Sequence, residues 1–330
     1  MVLSTPPRAR LVSRRVPRLI AQSCALGLAL ALPSAARAQR VHVIAAAGLS
    51  GEPAFRLLFE AAVSTLVDSA RARWHVADSS LFALAEDTNG TRMRATGRAT
   101  RKELEQSFLA LSRRVAPGDI VLVFLVGHGS GEGTDSRVSL PGPDATAADF
   151  AGWLAGLARQ NVVFVNAASG SGDFGAALAG PRRVIVTATR TALERNETRF
   201  ATPFVRALTT DEADADKDGR VSVLEAFAYA KKEVARVYEA DHRLLTEHAT
   251  ISDSTLARSV TFGAPRSAPT DPRAAALVAE RSELESQVAA LRGKKESMTP
   301  AAYDAELERL LVLVAQKTQA IRALGSGAKP

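Results

Sequence analysis

Asp119-Ile-Val-Leu-Val-Phe-Leu-Val-Gly-His-Gly-Ser130 and Asn161-Val-Val-Phe-Val-Asn-Ala-Ala-Ser-Gly-Ser-Gly-Asp-Phe174 are the two stretches that decide the reading of this chain. Each is a short apolar run that stops at small residues, the pattern of a strand buried on both faces. Each then delivers polar groups at its C-terminal end, where open α/β sheets hold their ligands. Those groups are His128 with the Gly129 backbone, and Ser169 with Ser171. A base beside a flexible amide, and a hydroxyl at a strand-to-loop corner, are the parts of a nucleophilic hydrolase.

Working outward, Val41–Ala47 reads as a first strand, followed by a Gly48–Gly51 turn and a helix from about Pro53 to Ala70. G-x-G-x-x-G is absent, so this turn is a weak dinucleotide signal. Trp74–Leu84 can hold a second strand, and Asp87–Arg98 reads as a loop. Thr100-Arg-Lys-Glu103 has the spacing of a capping box. Leu104, Phe108, Leu111 and Val115 follow at helical spacing and should face the sheet. Ser136–Leu140 reads as a short hairpin, and Thr146-Ala-Ala-Asp149 caps the next helix. Arg183–Thr189 is another buried strand, and Ser259–Gly263 reads as a last edge strand. Strands alternating with helices imply a mostly parallel three-layer α/β/α sandwich.

The sharpest spacing lies in Asp214-Ala-Asp-Lys-Asp-Gly-Arg-Val-Ser-Val-Leu-Glu225. Asp214, Asp216 and Asp218 fall at positions 1, 3 and 5 of a calcium-loop template. Gly219 falls at 6, Arg220 at 7 (a backbone-carbonyl position), Ser222 at 9 and Glu225 at 12. Calcium needs many oxygen ligands, and this EF-hand-like loop supplies them. The competing reading is an acidic turn that caps the following helix. A single such loop outside the cytosol belongs to the weak affinity class, about 10⁻⁴–10⁻³ M.

Beyond Gly263 the composition changes. Residues 264–272 read as a linker with Pro265, Pro269 and Pro272. Residues 273–324 carry Leu277, Leu284, Val288 and Leu291, then Tyr303, Leu307, Leu310, Leu311, Val314, Ile321 and Leu324, in two apolar stripes. An antiparallel helical hairpin follows from that pattern. Two helices alone bury little surface, so it should dock on the main domain or mediate self- or partner association. Residues 325–330 read as a disordered tail.

Composition narrows the function. The formal charge is +7 over 330 residues. Residues 1–38 hold six of the 42 basic residues and none of the 35 acids, so the remainder sits near neutrality. A nucleic-acid partner loses its support. Those 38 residues resemble a secretory signal: an Arg-rich start, the apolar run Leu19–Leu32 and the Ala36-Arg37-Ala38 cleavage site. The expected location is periplasmic or secreted, with the export route open and no membrane span after cleavage. Cys24, the one cysteine, lies in that signal. The mature chain then has neither disulfides nor a catalytic thiol.

The paired stretches resemble the caspase-like and legumain-like cysteine peptidases. Those enzymes have a hydrophobic strand ending in His-Gly and another ending in Cys-x-Ser-Gly. Aligning Ser171-Gly172 on that Ser-Gly places Ser169 where the family has its cysteine. The resemblance implies a caspase-like sandwich over residues 39–263, with His128, Gly129 and Ser169 in the catalytic positions. It also implies substrate contacts at Arg56, Ser171 and Thr189. Arg56 follows from the family's Gly-x-x-Gly and aromatic-Arg pair, matched here by Phe55-Arg56, although Leu57 replaces the family's histidine. Three functions stay open. One is a degenerate peptidase that binds a peptide or protein in the old cleft. Another is a serine-dependent peptidase using Ser169 and His128. The third is a calcium-stabilised envelope scaffold acting through the helical hairpin.

Overall fold

The computed structural model describes residues 39–89, 93–263 and 271–325. The signal segment, residues 264–270 of the linker and residues 326–330 of the tail lie outside the described residues. From Gln39 onward the chain is one compact unit, the C-terminal helices included.

The main sheet grows from the two quoted stretches. Strand β1 (Val41–Ala47) is followed by helix α1 (Pro53–Ala72), β2 (Leu81–Ala85), β3 (Gly97–Arg98) and α2 (Arg101–Ser112). Then comes β4 (Ile120–Val126), with three short strands β5 (Gly129–Ser130), β6 (Arg137–Val138) and β7 (Ala145–Thr146). Helix α3 (Ala147–Leu154), β8 (Asn161–Asn166), α4 (Phe174–Ala177) and β9 (Arg183–Thr187) complete the centre. Helices α5 (Ala201–Thr209) and α6 (Val223–Ala240), strand β10 (Thr250–Ile251) and helix α7 (Ser254–Ser259) close the main domain. Helices α8 (Pro272–Gly293) and α9 (Pro300–Gly325) end it.

The seven-stranded sheet has the order β10-β9-β8-β4-β1-β2-β3. Every pair is parallel except β10 on β9. The sheet is buried on both faces, which is why its strands are continuous apolar runs. Leu122, Phe124, Val163 and Val165 face the layer of α1, α5 and α6. Val121, Val123, Val162 and Phe164 face the layer of α2, α3 and α4. This is a three-layer α/β/α sandwich. On its second face Phe108, Phe150, Trp153, Phe164 and Phe174 form a chain of ring contacts, with Phe150 and Phe164 centroids 5.2 Å apart. Edge-to-face pairs of this kind add to the burial of each ring.

Local signals play out with three corrections, the first being that the stretch read as a loop over Asp87–Arg98 ends in strand β3. Thr146 and Asp149 make both bonds of a capping box. Thr100 accepts from the Glu103 amide at 3.2 Å, but the return bond is missing because the Thr100 amide donates to the Arg98 carbonyl instead. Ser259–Gly263 is not an edge strand. The Asp253 carboxylate accepts from the Leu256 amide at 2.8 Å and starts α7, which ends at Ser259. What remains is a single antiparallel bridge, Ser222 to Thr261, onto the acidic loop. The antiparallel edge is taken by β10, which pairs Thr250 with Thr187.

Helices α8 and α9 pair antiparallel. Leu291, Tyr303 and Leu310 share a small apolar core near the turn, and Lys317 reaches back to Glu280 at 2.5 Å. Among the described residues no helix is long and apolar enough to cross a membrane.

Candidate active-site cleft and acidic loop

The sheet order reverses at β1: the chain moves from β1 to β2 on one side, then returns to place β4 on the other. A crevice opens at the C-terminal ends of the strands at such a point. The parallel pairing of β4 with β8 aligns Leu125 with Asn166 and so brings the two strand ends together. His128 and Ser169 lie just past those ends, on neighbouring loops.

His128 is held from two sides. Its ring meets Phe55 and Phe59 of α1 edge-on, at centroid distances of 5.3 and 5.4 Å. Its Nε2 lies 3.1 Å from the Ser50 carbonyl oxygen. A carbonyl only accepts, so Nε2 carries the proton and Nδ1 is the basic nitrogen of the neutral ring. Ser50 in turn donates both its amide and its hydroxyl to the Glu86 carboxylate. His128, Ser50 and Glu86 thus form a line across the ends of β4, β1 and β2.

Ser169 is 3% exposed, and its Oγ accepts from the Gly129 amide at 3.3 Å. Among the described residues no hydrogen bond joins it to His128. The turn that delivers it is tight: Asn166 Oδ1 accepts from the Ala168 amide at 3.1 Å, and the Gly170 amide donates to the Glu194 carbonyl at 2.9 Å. Gly129 is required at its place. A Cβ there would sit 2.5 Å from the Ser169 carbonyl oxygen and 2.8 Å from that of Arg137.

The other residues assigned from the resemblance are placed as follows. Ser171 and Thr189 are buried with their hydroxyls 3.2 Å apart, and Thr189 Oγ1 also accepts from the Gly172 amide. They brace the Ser169 loop against the end of β9. Arg56 donates to Glu60 at 2.9 Å, one turn along its own helix, while its neighbour Phe55 touches His128. Sequence reasoning missed Ser50 and Glu86. Their signal was available as polar residues just beyond the ends of β1 and β2.

The segments walling the cleft expose leucines. Leu49 precedes Ser50, Leu57 and Leu58 lie on α1, and Leu193 lies in the loop that binds Gly170. Leu193 is 72% exposed.

The second candidate site is the acidic loop between α5 and α6. Asp214, Asp216 and Asp218 each offer a carboxylate oxygen, all within 4.8 Å of one another, and all three residues are buried. Gly219 turns the loop with φ of +81°, which favours glycine. Asp214 Oδ1 is buried without a hydrogen-bond partner. An orphaned buried oxygen beside two further carboxylates fits a hard cation, so this cluster could hold a metal ion. Burial holds the Asp214 carboxyl above its ordinary range, with the neighbouring Asp216 charge adding to the effect.

The other residues of the template make hydrogen bonds within the loop itself. Glu225 Oε2 accepts from the Ser222 amide and hydroxyl, and its Oε1 from the Ala215 and Asp216 amides. Ser222 accepts from the Glu225 amide, closing a capping box on α6. The Arg220 amide donates to Asp218 at 2.7 Å. The loop therefore also caps α6, the alternative reading of the same residues. One contact had no local signal: the Arg281 guanidinium of α8 reaches Asp216 and Asp218.

No family model matches this chain, and no curated protein matches it. Among solved structures it is similar to protein GSU0716 from Geobacter sulfurreducens, at 12% identity and a TM-score of 0.39, over 71% of this chain and 96% of that one. At that score the likeness carries no argument about fold or function.

Proposed function

We propose that this chain is an exported caspase-like or legumain-like peptidase homologue whose cleft binds a peptide or protein segment without cleaving it. The observation that carries this reading is the setting of Ser169. Its hydroxyl is buried and bonded to the Gly129 amide, the group that would hold an oxyanion, and it is not bonded to His128. A thiol ionises readily, whereas a serine hydroxyl needs a closely bonded base to attack. His128 is oriented through Ser50, but its proton acceptor is not on the nucleophile. The exposed leucines of the cleft walls support an apolar peptide ligand.

The same reading gives the acidic loop to calcium. Asp214, Asp216 and Asp218 supply hard oxygen donors, and the ion would order this end of the domain. Its role is structural, and no chemical step passes through it.

The test is peptide-pool cleavage by the mature protein with calcium, as wild type, Ser169→Ala and Ser169→Cys. Silence from the wild type with cleavage by Ser169→Cys is the expected result. Cleavage by the wild type that Ser169→Ala abolishes would instead establish a serine-dependent peptidase. Silence from all three would move the function to the loop and the helical hairpin.

A further inference from the structure

We propose that Arg281 is a tethered rival of the divalent cation at the acidic loop, so that metal binding and docking of α8 on the loop exclude each other. The inference rests on the reading that this loop takes such a cation.

Each aspartate spends one carboxylate oxygen on the loop's own backbone. Asp214 Oδ2 accepts from the Gly219 amide at 3.1 Å. Asp216 Oδ1 accepts from the Asp218 amide at 3.3 Å, and Asp218 Oδ1 from the Arg220 amide at 2.7 Å. The oxygens left for a cation are Asp214 Oδ1, Asp216 Oδ2 and Asp218 Oδ2. Arg281 takes the last two, one with each terminal nitrogen. Asp214 Oδ1 is left with no partner. The guanidinium fills the place of a cation for two carboxylates and leaves the third unanswered.

The charges point the same way. Arg281 is buried and brings one positive charge to three crowded carboxylates. A dication brings two, and it can approach all three oxygens at once. Because the two cations need the same two oxygens, one must leave when the other enters. Arg281 also pairs through Nε with Glu285, 3.5 Å away on its own helix, which gives the freed guanidinium a partner.

The geometric consequence falls on the hairpin. Among the described residues, helix α8 forms ion pairs with the main domain through Arg281 on the loop and Arg292 on Asp253 at 3.3 Å. Metal entry removes the first. The ligand class is a divalent cation that prefers oxygen donors, and the readout is the freedom of α8.

The experiment is a calorimetric titration of the full chain with calcium chloride, as wild type, Arg281→Ala and Arg281→Met. Hydrogen exchange across α8 is then followed with and without calcium. Removing the rival is expected to tighten calcium binding roughly tenfold or more in both variants, since the competent state no longer has to expel Arg281. Calcium is expected to speed exchange in the first half of α8 in the wild type. Equal or weaker binding by both variants overturns the rivalry while leaving the metal site in place. Absence of calcium binding in all three proteins overturns the metal reading and the rivalry together. Arg281→Met keeps the aliphatic stem, so agreement between the variants excludes a packing defect.

Discussion

His128 gives its Nε2 proton to the carbonyl of Ser50, 3.1 Å away and 78 residues earlier in the chain. The bond fixes which ring nitrogen is basic, and the Glu86 carboxylate fixes Ser50 in turn. In a long-range proton–nitrogen NMR spectrum, at a pH where the ring is neutral, His128 is expected as the Nε2–H tautomer. Glu86→Ala should release the Ser50 loop and produce a tautomer mixture. A pure Nδ1–H tautomer in the wild type would refute this arrangement.

Gly129→Ala should destabilise the fold. The new methyl would stand 2.5 Å from the Ser169 carbonyl oxygen and 2.8 Å from that of Arg137, both backbone atoms that cannot swing away. Overpacking of this kind costs about 1–3 kcal/mol. Urea unfolding should show a lower midpoint at unchanged slope. An unchanged midpoint would mean the two loops part freely.

Glu247 links stability to pH. Burial pushes its carboxyl up to about 7, against the pull of the Arg199 and Phe200 amides that donate to it at the start of α5. A carboxyl raised in the folded state contributes stability that is fully present below its ordinary value near 4.5 and is lost as pH rises through 7. The loss should amount to about 3 kcal/mol between pH 5 and pH 8, at roughly 1.4 kcal/mol per unit. Thermal melts across that range should show it, and Glu247→Gln should flatten the difference. A variant with the same pH slope as the wild type would assign the dependence to other groups.

Glu225 separates capping from metal binding. Because it closes the capping box on α6 with Ser222, Glu225→Ala should cost about 0.3–1.5 kcal/mol even in chelator. With calcium present the loss should be larger, because the ion's stabilisation is weakened too. The measurement is the melting temperature of both proteins with EDTA and with calcium. Equal losses under the two conditions would confine Glu225 to its helix cap.

Much of the fold was legible one segment at a time. The runs at β4, β8 and β9 are apolar throughout because helices cover both faces of the sheet, and such runs show in composition. Asp149 three residues after Thr146 announced a helix start because a cap is a local hydrogen-bond pattern. Ser259–Gly263 misled: its apolar residues pack under Trp74 and the α1 end of the core, with Phe262 and Trp74 rings 4.8 Å apart, without joining the sheet. Thr100 misled for a related reason, since its amide was already taken by the short segment at β3.

By itself the sequence determined the central buried strands and the helices around them, the presence of a histidine and a serine at strand ends, and the acidic loop with its glycine turn. These follow from periodicity and from bonds that span a few residues. Only the tertiary structure decided that His128 answers to Ser50 rather than to Ser169, and that Arg281, 65 residues beyond Asp216 in the chain, meets the loop's carboxylates. Such contacts leave no periodic trace. They depend on sheet order and helix docking, which are set by burying apolar faces across the whole chain, and polar side chains take whatever partners that burial brings within reach.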